Sequence, residues 1–155
     1  MAPSNRRNAI AELTLDQANR LIAGVFDEAA RRGLPPIAAA VLDSGGHLKA
    51  MQRQDGVSFM RADICQAKAW GALAMGTDTC HLAKRYAQDA QQQGFLLALN
   101  AMSTGRIIPL AGGVLVSNDE GETLGAVGVS GAASEDDEAC ALAGVRGIDL
   151  QARQD

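Results

Sequence analysis

Four groups of residues in this sequence are of the right type and spacing to do chemistry. Asp43-Ser-Gly-Gly-His47 places a carboxylate and an imidazole on either side of a turn. His47 there could ligate a metal or haem, although turn chemistry alone accounts for the same residues. Arg53-Gln-Asp55-Gly56 follows, in which Arg53 could clamp a carboxylate bidentately or simply pair with Asp55 to fix the loop. Arg61, Cys65 and Lys68 are spaced i, i+4, i+7, which stacks a thiol between two cations on one side of a helix. Those cations would lower the thiol pKa and could hold an anion; the plainer alternative is that Arg61 and Lys68 face solvent while Cys65 packs. The fourth group pairs Gly105-Arg106 and Gly112-Gly113 with Ser130-Gly131, where small residues at a strand end and a helix start free backbone N–H groups for an anion and suit a small carboxylate or an apolar ring edge. Glu135, Asp136 and Asp137 already complement the dipole of that helix, which disfavours a phosphate.

These residues need elements to position them. Thr14-Leu-Asp-Gln17 has the form of a capping box, and Ala18, Leu21, Ile22, Val25, Phe26 and Ala29 then recur at helical spacing, which predicts a helix over Leu15–Arg32 closed by Gly33. Residues 37–43 and 47–53 flank Ser44-Gly45-Gly46 and read as a hairpin. A helix is predicted over 58–76, with Met60, Ile64, Ala67, Gly71 and Ala74 as its buried stripe, and another over 79–92, stopped at Gly94. Residues 95–110 lack a clear period and read as an ordered loop. Residues 114–117 and 123–130 form a second hairpin across Asn118-Asp119-Glu120-Gly121, and Ser134 caps a closing helix that runs to about Gln151. Antiparallel strand pairs with helices laid against them make the fold class α+β rather than a doubly wound parallel sheet. The motif G-x-G-x-x-G is absent, as are a P-loop, H-E-x-x-H and G-x-S-x-G.

The chain has 155 residues and is 47% hydrophobic, yet only 3% aromatic, with 17 glycines, so its core must rely on close backbone approach. Assembly with other copies would bury more surface, and a homo-oligomer is expected. The net charge is −4, with no concentration of Lys and Arg able to neutralise a run of phosphates, so nucleic acid is not an expected partner. No stretch approaches about 18 uninterrupted apolar residues, and MAPSNRRNAIAEL has no apolar signal-peptide centre. The expected location is the cytoplasm, without membrane association. Cys65, Cys80 and Cys140 are odd in number and form no C-x-x-C pair, and read as free thiols of a reducing compartment.

Residues 37–57, the Gln66-Ala-Lys68-Ala helix, residues 106–115 and residues 124–132 followed by Glu135-Asp-Asp137 together resemble the GlcG/HbpS-like family, which includes the domain at the C-terminus of PduO-type proteins. The resemblance covers about residues 13–150, read as one domain, with residues 1–12 as a flexible N-terminal segment. It implies a profilin-like antiparallel sheet flanked by helices, dimers or larger rings, and genes near catabolic pathways for small organic acids. Some members bind haem, with a histidine expected in the first helix; this sequence has none over Leu15–Arg32, only His47 and His81, so His47 is the haem-ligand candidate and Cys65 or Met60 the substitutes. The function expected first is binding of a small organic acid between the central helix, the Arg106 loop and the Gly131 turn, with Arg53, Arg106, Cys65, Gly112, Gly113, Ser130 and Gly131 as binding residues. If turnover occurs, it is isomerisation, tautomerisation or lyase-type elimination, with Lys68 as base or imine-forming amine and Asp43 or Asp55 relaying a proton. The alternatives are haem storage, sensing or degradation, and a structural oligomer with no small ligand.

Overall fold

The computed structural model of the protein describes residues 12–152; residues 1–11, nearly all of the segment expected to be flexible, lie outside the described residues. Helix α1 spans Leu15–Arg32, followed by strands β1 (Ala38–Asp43) and β2 (Leu48–Arg53), helices α2 (Met60–Met75), α3 (Thr79–Tyr86) and α4 (Ala90–Met102), strands β3 (Gly113–Ser117) and β4 (Thr123–Ser130), helix α5 (Ser134–Arg146) and the two-residue strand β5 (Gln151–Ala152). The strands form one sheet in the order β2-β1-β4-β3-β5, every neighbouring pair antiparallel. The class is therefore α+β, a profilin-like sheet with helices on both sides.

Period-two alternation decides how the layers stack. One face of β1, β3 and β4 presents Ala39, Val41, Val114, Val116, Val127 and Val129, and packs with Leu21, Ile22 and Val25 of α1 and Cys140, Ala141 and Val145 of α5 in the main core. The other face receives α2 and, apart from Leu42 and Leu115, is far smaller, with Ala38, Ala40, Ala126, Gly113 and Gly128. Because these positions carry little or no side chain, α2 lies almost on the backbone of the sheet. A Cβ at Gly128 would sit 1.8 Å from the carbonyl oxygen of Cys65.

The capping box at Thr14 forms as expected, with Gln17 N–H donating to Thr14 Oγ1 at 3.1 Å and Thr14 N–H to Gln17 Oε1 at 3.0 Å, and Gly33 ends α1 in the left-handed region. Three expectations are corrected. The buried side of α2 is Cys65, Ala67, Lys68, Ala69, Gly71 and Ala72: Ala67 and Gly71 of the expected stripe are buried, whereas Met60 and Ala74 are exposed and Ile64 is half-buried, because the sheet that α2 meets is mostly small residues and accepts its small ones. The helix expected over 79–92 ends at Tyr86, and a new one starts where Asp89 accepts a hydrogen bond from Gln92 N–H at 2.9 Å, so Gly94 lies inside α4 and much of the expected loop is helical. Helix α4 buries only Leu96 and leaves Phe95, Leu97 and Met102 exposed, which is why its sequence shows no helical period. Lastly, α5 stops at Arg146, and Gln151 pairs with Ser117 as strand.

Two side chains from the start of α3 close the sheet where β5 is too short to reach. Leu115 N–H donates to Asp78 Oδ1 and Gly113 N–H to Thr79 Oγ1, both at 2.8 Å. Among the described residues no helix is long and apolar enough to cross a membrane.

Candidate functional site

Two places gather the chemically able residues. The first is a surface cavity of about 350 Å³ between the β1–β2 turn, α2 and the loop that carries Gly105 and Arg106. Asp63, Gln66, Ala67 and Trp70 line it from α2, spaced i, i+3, i+4, i+7 and so on one helical face. Leu42, Gly46 and Leu48 supply the hairpin wall. The Arg106 guanidinium lies over the Trp70 ring at 4.0 Å from its centroid, and its Nε donates to Ser103 O at 2.8 Å. The arginine is thus held on the ring at the cavity it lines, with Nε engaged. Gly46 has a φ of +82°, and a Cβ there would meet the Trp70 indole at 3.2 Å, so the turn needs glycine both for its backbone and for the ring beside it.

That turn is fixed by Asp43, whose Oδ1 accepts from the N–H groups of Gly45 and His47, each at 3.0 Å. Partial burial works against the Asp43 charge, but these backbone donors and the His47 imidazole outweigh it and hold the carboxyl below its ordinary value. His47 Nδ1 lies 3.4 Å from the same oxygen, and the ring is 83% exposed.

The second place is sealed. Lys68, 1% exposed, reaches past the end of β3, and its Nζ donates to Val129 O at 2.9 Å and to Asp137 Oδ2 at 3.0 Å. Asp137, also 1% exposed, accepts from Ala132 N–H at 3.0 Å through its other oxygen, so the Gly131 turn wraps the carboxylate. Gly112, with φ of +118°, leaves the space the ammonium occupies: a Cβ there would be 2.9 Å from Nζ. Burial pushes the Asp137 carboxyl up and the Lys68 ammonium down, and their mutual attraction opposes both shifts.

The structure therefore distributes the expected site residues. Lys68, Gly112 and Gly131 come together around Asp137, with Gly113 under the Lys68 backbone and Ser130 Oγ meeting Arg61 Nη1 at 3.3 Å. Arg106 lies elsewhere. The pocket expected between α2, the Arg106 loop and the Gly131 turn is corrected on this point, because β1 and β4 pair with Asp43 opposite Gly125 and Ala38 opposite Ser130, which puts the Gly131 turn and the 43–48 turn at opposite ends of the strands. Arg53 and Asp55 are exposed; Arg53 is five residues along β2 from Leu48, roughly 17 Å for an extended strand, and is outside the cavity. Of the two readings of Cys65, the lowered thiol is corrected and the packed one holds: burial pushes the thiol up to about 12, more than the nearby Lys68 charge pulls it down, and its Sγ–H donates to Ala62 O, while Lys68 is buried instead of facing solvent.

Asp137 and the Asp63, Gln66, Trp70 face are not among the site residues expected from the sequence. Asp137 is disguised by its neighbours, since an acid in the first turn of a helix needs no partner other than the dipole. The cavity face had a signal in its i, i+3, i+7 spacing, which the expected apolar stripe obscured.

The comparisons with known proteins agree with this architecture. Residues 13–146 match the HbpS-like family, described as haem degrading protein HbpS-like. The chain is 33% identical over 134 residues to an uncharacterized 15.0 kDa protein of the dhaT-dhaS intergenic region of Citrobacter freundii, covering 86% of this chain and 89% of that one. It is 26% identical over 119 residues to the corrinoid adenosyltransferase PduO of Citrobacter freundii, a match over 77% of this chain that spans only 34% of PduO. Among solved structures, PduOC in its heme complex superposes with a TM-score of 0.80 at 23% identity, covering 93% of this chain and 100% of that one, which shows a shared fold.

Proposed function

The chain belongs to the HbpS-like family, and on that premise we propose that it binds a small carboxylate in the cavity beside α2. The observation that carries this reading is Arg106, stacked on Trp70 and bonded through Nε to Ser103 O. A guanidinium held on an aromatic face at the edge of a cavity of about 350 Å³ suits a planar anion, and the apolar residues Leu42, Leu48 and Ala67 take the rest of a small organic acid. Turnover by Lys68, as base or imine-forming amine, would need its pair with Asp137 to open, since Nζ is already engaged twice. The unpaired Cys65, Cys80 and Cys140 suit a reducing, cytoplasmic setting, and the apolar residues that α4 leaves exposed suit a homo-oligomer.

Haem is the second reading, favoured by the heme complex of PduOC. Arg106 and Trp70 are the residue types that would hold a propionate and a porphyrin face. The iron, which supplies the redox chemistry when haem is bound, would draw on His47, whose exposed imidazole stands in the chain between the cavity residues Gly46 and Leu48. Cys65 is withheld by burial, and Met60 is exposed at the start of α2.

Calorimetry with a panel of small organic acids, set beside a haemin titration followed in the visible spectrum, separates the two. The expected result is acid binding that weakens about tenfold or more in Arg106→Gln, with haemin bound no better than by an unrelated acidic protein. A saturable Soret band at one haem per chain that is lost in His47→Ala would put the haem reading first. Failure of both ligands would remove the cavity as a binding site.

A further inference from the structure

Building on the reading of the cavity as a carboxylate site, we infer that its ligand also carries a hydrogen-bond donor, a hydroxyl or an ammonium, on the side that faces α2: a hydroxy or amino acid rather than a plain acid. The two walls of the cavity differ in what they offer. Arg106 presents donors only. Its Nε is given to Ser103 O and its plane is held on Trp70, so the fork of its terminal nitrogens remains for a carboxylate.

The α2 wall presents acceptors. Gln66 lines the cavity and spends its amide nitrogen on Ala62 O at 3.1 Å and Met51 Sδ at 3.6 Å, which leaves Oε1 as the acceptor it can offer a ligand. Asp63, one turn earlier on the same face, accepts without donating when ionised, and it enters none of the ion pairs among the described residues. A ligand with only a carboxylate would satisfy Arg106 and set hydrocarbon against Asp63 and Gln66. An ammonium on the ligand can donate to both acceptors, and a hydroxyl to one of them. The Asp63 charge works against a second carboxylate, so the same arrangement selects against dianions. Asp63 is exposed, so water and salt moderate the preference.

The test is calorimetry with three acids on one frame, 3-phenylpropionate, 3-phenyllactate and phenylalanine, against the full chain and its Asp63→Asn and Arg106→Gln variants. The lactate and the amino acid should bind about tenfold more tightly than the propionate. Asp63→Asn should narrow the gap between phenylalanine and the propionate, and salt of about 0.5 M should shrink the same gap. If all three bind alike and Asp63→Asn changes nothing while Arg106→Gln weakens all three, the donor requirement is overturned and the carboxylate site stands. If none of the three binds, both are overturned.

Discussion

Lys68 and Trp70 are two residues apart on α2 and point to opposite sides of it, and each is the address of a cation. Lys68 carries its own charge inward, past Gly112, to a carboxylate and a carbonyl that use it up. Trp70 receives the charge of Arg106 at the surface, where one edge of the guanidinium is bonded and the other is left for a partner. Lys68 has the more perturbed environment and is the more tempting catalyst, yet everything it could do is already done by its neighbours. Availability for a ligand depends on unmet hydrogen bonds at an accessible place, and perturbation alone does not supply them.

The largest expected effect tests whether the inner site is as closed as its geometry. Asp137→Ala strands the Lys68 charge and should cost about 3–5 kcal/mol in urea denaturation, and the double change Lys68→Met with Asp137→Leu should recover most of that loss. A cost below about 1 kcal/mol for the single variant would mean the pair is solvated, and the contrast with Arg106 would collapse. Next comes the seam itself. Gly128→Ala drives a methyl into the Cys65 carbonyl and should destabilise by about 1–3 kcal/mol or more, read by the same denaturation curve. Arg106→Gln sharpens the comparison from the other side, since its stability should stay within about 1 kcal/mol of the parent while carboxylate binding falls.

The smallest effect concerns cations exposed to solvent. Hydrogen bonds from Arg31 and Arg32 hold the Glu28 carboxyl at about 2, against an ordinary 4.5. The folded value lies below the unfolded one, so this contribution is present above pH 4.5 and is lost as the pH falls through about 2. Glu28→Gln should slightly flatten the acid limb of a stability-against-pH curve; an unchanged limb would mean that water replaces the pair at no cost.

Local chemistry in the sequence foretold much of this fold. Thr14 and Gln17 encode the start of α1, Gly33 its end, and the Gly45-Gly46 and Asp119-Glu120-Gly121 turns mark both hairpins, because each of these signals acts within a few residues. The signals that misled were also local. Gly94 looks like a helix stop, but the cap that matters is Asp89, and α4 has no periodicity to read because one buried residue, Leu96, anchors it. At the two sites the missing information was long-range. Lys68 and Asp137 are 69 residues apart and meet where Gly112 leaves room, while Arg106 finds Trp70 through a loop whose path the sequence does not state.

The closeness of α2 to the sheet bears on how such a protein can change over evolutionary time. Gly113 and Gly128 are shut to every larger side chain by a backbone they touch, so descent with modification must leave them alone. Leu48, Asp63, Gln66 and Arg106 stand outside that seam and border the cavity. Inherited changes at those four positions can redirect the cavity to a different ligand while the frame stays intact, so two proteins sharing this frame need not share a ligand. A library varied at those positions should yield mostly folded proteins with divergent tastes.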